Sequence, residues 1–235
     1  MEQREVALAV GGPVRVLAGA GTGKTRAITH RIAYSVVIGA SEAERTLALT
    51  FTNRAAGEMR HRLLGLGVRG AQVRTFHAAA LRQLRFFWPQ LSRTAFPELM
   101  SSKASIVARS LAHCKVDSDK ALVRDVSGDI EWCKSNMMDS ALIHKAKRDF
   151  AIDVATLAKV MDSYETLKKD RNLLDFDDIL MLMSAAIRTR PDIQSAVHSA
   201  YRWFTVDEFQ DVNPLQKSVL DLWIGERDDI CVVGD

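Results

Sequence analysis

The 235 residues are 47% hydrophobic and 26% charged, enough apolar material to bury a sizeable core in one large domain or two modest ones. No apolar run approaches the roughly 20 residues that cross a bilayer, and the polar start Met1-Glu2-Gln3-Arg4 is not a secretory signal, so the expectation is a cytoplasmic protein with no membrane partner. The net charge of +3 hides an asymmetry: residues 1–90 carry 13 Lys+Arg against 5 Glu and no Asp, which points to a polyanion partner for that stretch.

In chain order, Val14-Arg15-Val16-Leu17 reads as a strand, followed by a Gly-rich turn and a helix from Lys24 to about Val36. Thr46 to Phe51 reads as a second strand. The next helix places Ala55, Met59 and Leu63 on one face and offers a Glu58/Arg62 pair at i,i+4. Gln72 to Phe76 reads as a third strand, before a helix carrying Leu81 and Leu84. Strands alternating with helices predict a parallel α/β sheet. From about 98 to 197 the pattern is helical with no strand. There Val154, Leu157, Met161, Tyr164 and Leu167 form an apolar stripe expected to be core. Strand signals return at Trp203–Val206 and Ile230–Val233. A helical block is thus expected as an insertion in one α/β domain. Cys114, Cys133 and Cys231 form no metal-binding spacing and are expected to be reduced and structural.

Ala18-Gly19-Ala20-Gly21-Thr22-Gly23-Lys24-Thr25 lies between a predicted strand and a predicted helix, the context of a phosphate-binding loop. Glycines let successive backbone N–H groups turn inward on phosphate oxygens, and the helix adds its positive end. Ala18 stands where the usual pattern has Gly. Lys24 is expected on the β and γ phosphates, and the Thr25 hydroxyl on Mg²⁺. Asp207 and Glu208 follow the apolar run Trp203–Val206, which puts them at the C-terminal end of a buried strand, where open α/β sheets bind ligands. Asp207 is the natural metal partner and Glu208 the natural base for an attacking water.

In this order the segments resemble the UvrD/Rep/PcrA group of superfamily 1A DNA helicases. Gln3 resembles the glutamine that reads the adenine edge, and Ala18 to Arg26 resembles the family's first motif, with Arg26 beside the nucleotide. Thr50 to Met59 resembles a segment that contacts single-stranded DNA, with Phe51 facing bases and Thr52 and Asn53 on the backbone. Thr75-Phe76-His77 resembles the next DNA-contacting motif, and Arg74 stands where Gly is common. Asp175-Phe176-Asp177-Asp178 resembles an acidic-aromatic segment expected to be mainly structural. Val206 to Gln216 resembles the motif whose core is Asp207-Glu208 and Gln210, and Val232-Val233-Gly234-Asp235 resembles the opening of the next.

The resemblance implies a RecA-like P-loop NTPase domain over residues 1–86 and 198–235, interrupted by a largely α-helical subdomain over 87–197. It implies an ATP-dependent 3′→5′ DNA helicase acting on single-stranded DNA, with Mg²⁺ as cofactor and DNA repair as the setting. A γ-phosphate-sensing Gln and a second RecA-like domain are expected beyond Asp235, so these residues alone are expected to bind ATP and DNA weakly and not to unwind. Other readings are a nucleotide-gated DNA-binding module and the helicase part of a RecB/AddA-like helicase–nuclease. A P-loop kinase is disfavoured by the matches at Phe51 and at Asp207-Glu208.

Overall fold

A computed structural model describes residues 2–19 and 21–235. In chain order the elements are α1 (Glu2–Leu8), β1 (Val14–Leu17), α2 (Lys24–Val37), β2 (Thr46–Thr50), α3 (Asn53–Gly65), β3 (Gln72–Thr75), α4 (Phe76–Leu91), β4 (Glu98–Leu99), α5 (Ala104–His113) and α6 (Lys120–Ser135). They continue with α7 (Val154–Asp170), β5 (Leu173–Leu174), α8 (Phe176–Thr189), α9 (Pro191–Ala200), β6 (Trp203–Val206), α10 (Pro214–Ile224) and β7 (Ile230–Gly234).

The main sheet has five strands in the order β1-β7-β6-β2-β3, and every neighbouring pair is parallel. Parallel strands need crossover connections, and α2 and α3 supply the first two. All five residues of β2 are buried, as an apolar strand between two parallel neighbours must be. One face of the sheet is covered by a core that includes Ile28 and Ile32 of α2, Met59 and Leu63 of α3, and Val73 and Val233 of the strands.

The chain divides into two compact units. One comprises the residues up to Gln83 with Met183–Val212 and Lys217–Asp235. The other comprises Leu84–Leu182 with Asn213–Gln216. Helices α4, α8 and α10 have residues in both units. The second unit packs α5, α6 and α7 around Ile106, Leu111, Val126, Ile130, Leu157 and Tyr164. Its helix starts are written locally: Asp119 accepts from the Leu122 N–H and Asp153 from the Thr156 N–H, as N-cap carboxylates do.

Three local expectations are corrected. The helical block contains a parallel strand pair, β4 with β5, too short to show any periodicity. Glu58 pairs with Arg54 at 3.1 Å and not with Arg62, the i−4 partner being the one within reach. Val154, at the start of its stripe, is exposed, while Leu157, Met161 and Tyr164 are buried as expected. The cysteines are free. Cys133 and Cys231 are buried, and burial pushes the Cys133 thiol up to about 11, which leaves it protonated and inert.

Candidate functional site

The strand register brings the singled-out segments to one edge. Leu17 pairs with Gly234, Val206 with Val232 and Leu49, and Thr50 with Thr75. All these strands are parallel, so the residues after them emerge together at the C-terminal edge of the sheet. These are the Gly-rich loop, Asp207-Glu208, Asp235, Phe51-Thr52-Asn53 and Phe76-His77. Their meeting is a property of strand order, because Lys24 lies 184 positions from its partner Glu208 and Thr25 lies 182 from its partner Asp207.

The loop is built close to the chain start. The Gln3 amide donates to the Thr22 carbonyl at 2.7 Å, and the Thr22 hydroxyl donates to the Gly19 carbonyl at 2.7 Å. Gly23 has φ +86°, a backbone conformation that requires glycine, and a Cβ there would sit 2.7 Å from the Gln3 amide nitrogen and push that side chain off the loop. Helix α1 is tied down by Arg31, whose guanidinium donates to the Ala9 carbonyl at 2.7 Å. Gln3, Thr22 and Gly19 are thus linked by hydrogen bonds ahead of α2, with Ala18, Gly21 and Gly23 on the same segment, and Ala20 lies outside the described residues. No acidic residue lies in the first turn of α2, so its positive end stays uncompensated by its own sequence. Arg26, on that turn, is exposed.

Lys24, the first residue of α2, is 9% exposed. Its ammonium bonds to the Asp235 carboxylate and approaches Glu208 Oε2 at 3.5 Å. The bond to Asp235, assisted by Glu208 and opposed by burial, raises its pKa and keeps it cationic. The Thr25 hydroxyl donates to Asp207 Oδ2 at 3.2 Å. Asp207 extends the β6 ladder, its N–H bonding the Leu49 carbonyl at 2.9 Å, and is 5% exposed. Burial raises the pKa of its carboxyl, opposed by the Thr25 bond. A hydroxyl and a carboxylate side by side are hard oxygen donors that fit Mg²⁺. Asp207→Asn, isosteric and neutral, is therefore expected to keep or raise the melting temperature while abolishing Mg²⁺-dependent nucleotide binding. A lower melting temperature, read by calorimetry, would mean that the carboxylate is structural.

Glu208 is a non-glycine residue at φ 52°, a conformation that costs energy and is held here by its surroundings. The Gln210 amide donates to Glu208 Oε2 at 2.7 Å, while its own oxygen accepts from the Asp235 N–H at 3.3 Å. A Cβ on Gly234 would lie 2.6 Å from that oxygen, so Gly234 makes room for it. The resemblance singles out Gln210 beside Asp207-Glu208, and the tertiary structure adds its bond to the Glu208 carboxylate.

On the same edge Phe51 is 51% exposed and ends no core. Thr52 and Asn53 are exposed, and the Thr52 hydroxyl caps α3 by accepting from the Ala55 N–H at 3.1 Å. The Thr75 hydroxyl accepts from the Ala78 N–H at 3.2 Å in the same way. Phe76 is the exception among the expected DNA contacts. It is 3% exposed and stacked on Trp223 with ring centroids 6.2 Å apart, so its apolar ring anchors α4 and presents no face to a base. His77 and Arg74 are half-buried.

With this geometry in place, all 235 residues match the UvrD/REP helicase N-terminal domain. The chain belongs to the UvrD/REP helicase N-terminal domain family. It is 47% identical over 249 aligned residues to ATP-dependent DNA helicase UvrD2 of Mycobacterium tuberculosis (strain ATCC 25618 / H37Rv), covering 100% of this chain and 36% of that protein. It is 33% identical over 240 residues to ATP-dependent DNA helicase PcrA of Leuconostoc citreum, covering 100% of this chain and 32% of that protein. Against ATP-dependent DNA helicase PcrA of Staphylococcus aureus (strain NCTC 8325 / PS 47) the identity is 31% over 239 residues, with 100% and 32% covered. The chain spans about a third of the length of the curated relatives it matches. The parallel α/β architecture is that of a RecA-like helicase domain, and among the described residues no helix is long and apolar enough to cross a membrane.

Proposed function

We propose that these residues are the nucleotide-binding part of an ATP-dependent 3′→5′ translocase on single-stranded DNA, working in DNA repair. The observation that carries the reading is the common edge at which Lys24-Thr25, Asp207-Glu208 and the exposed Phe51 emerge. Gln3 lies against the loop, where its amide meets an adenine edge. The loop backbone from Ala18 to Gly23 and the N-terminus of α2 take the phosphates, with Lys24 on the terminal ones and Arg26 at the rim. Thr25 and Asp207 hold Mg²⁺, which when bound neutralises charge on the phosphate oxygens. Glu208, aimed by Gln210, accepts the proton of the attacking water. Phe51, Thr52, Asn53, Arg74, Thr75 and His77 face single-stranded DNA, with Phe76 supporting them from beneath.

A base-stacking ring and a phosphate contact are separable. Phe51→Ala is expected to weaken binding to an ordinary oligonucleotide by about 1–3 kcal/mol and to leave binding to an abasic oligonucleotide unchanged. Equal losses on both, in a fluorescence anisotropy titration, would show that Phe51 does not stack on bases.

The 235 residues by themselves are expected to bind Mg·ATP and DNA weakly, with little turnover. A single α/β domain supplies one wall of the γ-phosphate site, and an arginine contributed from a second wall is typically worth roughly 10³–10⁵ in rate. Rapid DNA-stimulated hydrolysis by this chain alone would favour a self-sufficient ATPase.

A further inference from the structure

The free edge of β3 carries a feature that the nucleotide site does not use. From Met59 to Pro97 the sequence holds seven arginines and no acidic residue. Three of them converge on a cavity of about 480 Å³ beside residues 70–73: Arg60 from α3, Arg74 from β3 itself and Arg82 from α4. Among the described residues strand β3 has β2 on one side only, so this cavity runs along an unpaired strand edge. The Arg60 guanidinium is fixed there by donating to the Val73 carbonyl at 2.8 Å. Arg74 Nε is buried and has no hydrogen-bond acceptor among the described residues. None of the three arginines has an ion pair among the described residues. Glu44 packs against Gly70, where a Cβ would lie 2.9 Å from its carboxylate oxygen.

Such an arrangement is unfavourable by itself. Burial, and then the like charge of Arg82 with Arg60 behind it, lowers the pKa of Arg74, with Tyr201 acting in the opposite direction. A buried guanidinium N–H without an acceptor costs free energy until an anion supplies one. Planar guanidiniums from three elements around one cavity match the oxygens of a phosphate.

We propose that the β3 edge is a binding site for the phosphodiester backbone of nucleic acid, with Arg74 as the buried donor and Arg60 and Arg82 as its flanking clamps. It rests on the single-stranded DNA reading above and extends it. Arg74 directly precedes Thr75, so the contacts continue from the C-terminal edge of the sheet down the outside of β3.

The test measures oligonucleotide affinity against salt between 50 and 200 mM for the unaltered protein and for the Arg60→Ala/Arg82→Ala variant (conditions of roughly the range over which phosphate contacts are read). Both side chains are exposed, so thermal unfolding is expected to be unchanged and confirms the fold. Loss of two phosphate contacts is expected to make the slope of log K on log salt shallower by about 0.7 per contact, equally on ordinary and abasic oligonucleotides. Arg74→Gln is expected to weaken binding in the same base-independent way. An unchanged slope in the double variant, with normal binding by the parent, overturns this inference and leaves the Phe51 reading standing. Absence of oligonucleotide binding by the parent overturns both. Saturable binding of inorganic phosphate lost in the double variant, with the DNA slope unaltered, assigns the edge to free phosphate and also overturns the proposal.

Discussion

Glu208→Gln is expected to lower ATP turnover by about 10²–10⁴-fold, the usual worth of a positioned general base, while nucleotide affinity holds or tightens. The geometry separates the two effects. The Glu208 carboxylate reaches Lys24 at 3.5 Å and is gripped by the Gln210 amide at 2.7 Å, so it faces the ammonium proposed to bind phosphate without belonging to the loop. Glutamine keeps the shape and removes the basicity. Taking one negative charge from beside Lys24 cannot weaken its attraction for a polyphosphate. Lys24→Ala is expected to differ by losing binding as well as turnover, since it removes the ammonium itself. Titration with a fluorescent ATP analogue and a steady-state phosphate-release assay distinguish them. If Glu208→Gln lost nucleotide affinity as Lys24→Ala does, the base assignment would be wrong. Gln210→Ala is expected to fall between the parent and Glu208→Gln in rate, because Glu208 would keep its carboxylate and lose its aim.

The second large effect lies far from that chemistry. Lys134→Ala is expected to destabilise the helical unit by about 3–5 kcal/mol, as removing one partner from a buried ion pair does. For a chain of this size each kcal/mol moves the melting temperature by roughly 2–4 °C. The Lys134 ammonium is buried and bonds Asp175 at 2.7 Å, Asp178, and Glu165 at 3.1 Å. Lys168 repeats the pattern, reaching Asp175 at 3.0 Å and Asp178 at 2.7 Å, and the Tyr164 hydroxyl donates to Asp175 at 2.9 Å. The two carboxylates also cap α8 reciprocally, Asp178 N–H to Asp175 at 3.0 Å and Asp175 N–H to Asp178 at 2.8 Å. Burial alone would raise the Asp175 carboxyl, but the Lys134 and Lys168 charges hold it below the usual carboxylate range. A depressed carboxyl stabilises fully above its unfolded pKa of about 3.9 and loses that contribution as pH falls toward its folded value. Acid unfolding of the parent should therefore steepen below about pH 4 and be blunted in Asp175→Asn, which starts from a lower plateau. Melting within a degree of the parent for Lys134→Ala, at neutral pH, would show that the network is solvated and energetically idle.

These two centres differ in how much of them a sequence reading reaches. The loop before Lys24 is legible because its chemistry is local. Glycines at set spacings between an apolar strand and a helix can do little else, and Gly21 and Gly23 stand at positive φ accordingly. The strand at Trp203–Val206 is legible for a related reason, since four apolar-rich residues must be covered on both faces. The structural role of Asp175 to Asp178 is what the family resemblance implies, and the fold shows the reciprocal cap that closes within three residues. The lysines that neutralise it come from 41 and 7 positions away and leave no local mark.

Residues 1–235 by themselves determine the phosphate loop, the paired carboxylates, the alternation of strands and helices, and the local caps at Thr52, Asp119 and Asp153. Each depends on contacts within a turn or two of chain, which spacing encodes directly. Tertiary structure alone decides that β6 and β7 insert between β1 and β2 and so carry Asp207 to Thr25. It also decides that Phe76 turns into the core against Trp223 while Phe51 stays outside, and that Glu98–Leu99 finds Leu173–Leu174. The same is true of Arg60, Arg74 and Arg82, which form one cavity only because a helix, an edge strand and another helix pass the same point. Those outcomes hang on pairings between distant segments, whose free energies come from packing and register and have no signature in either partner alone.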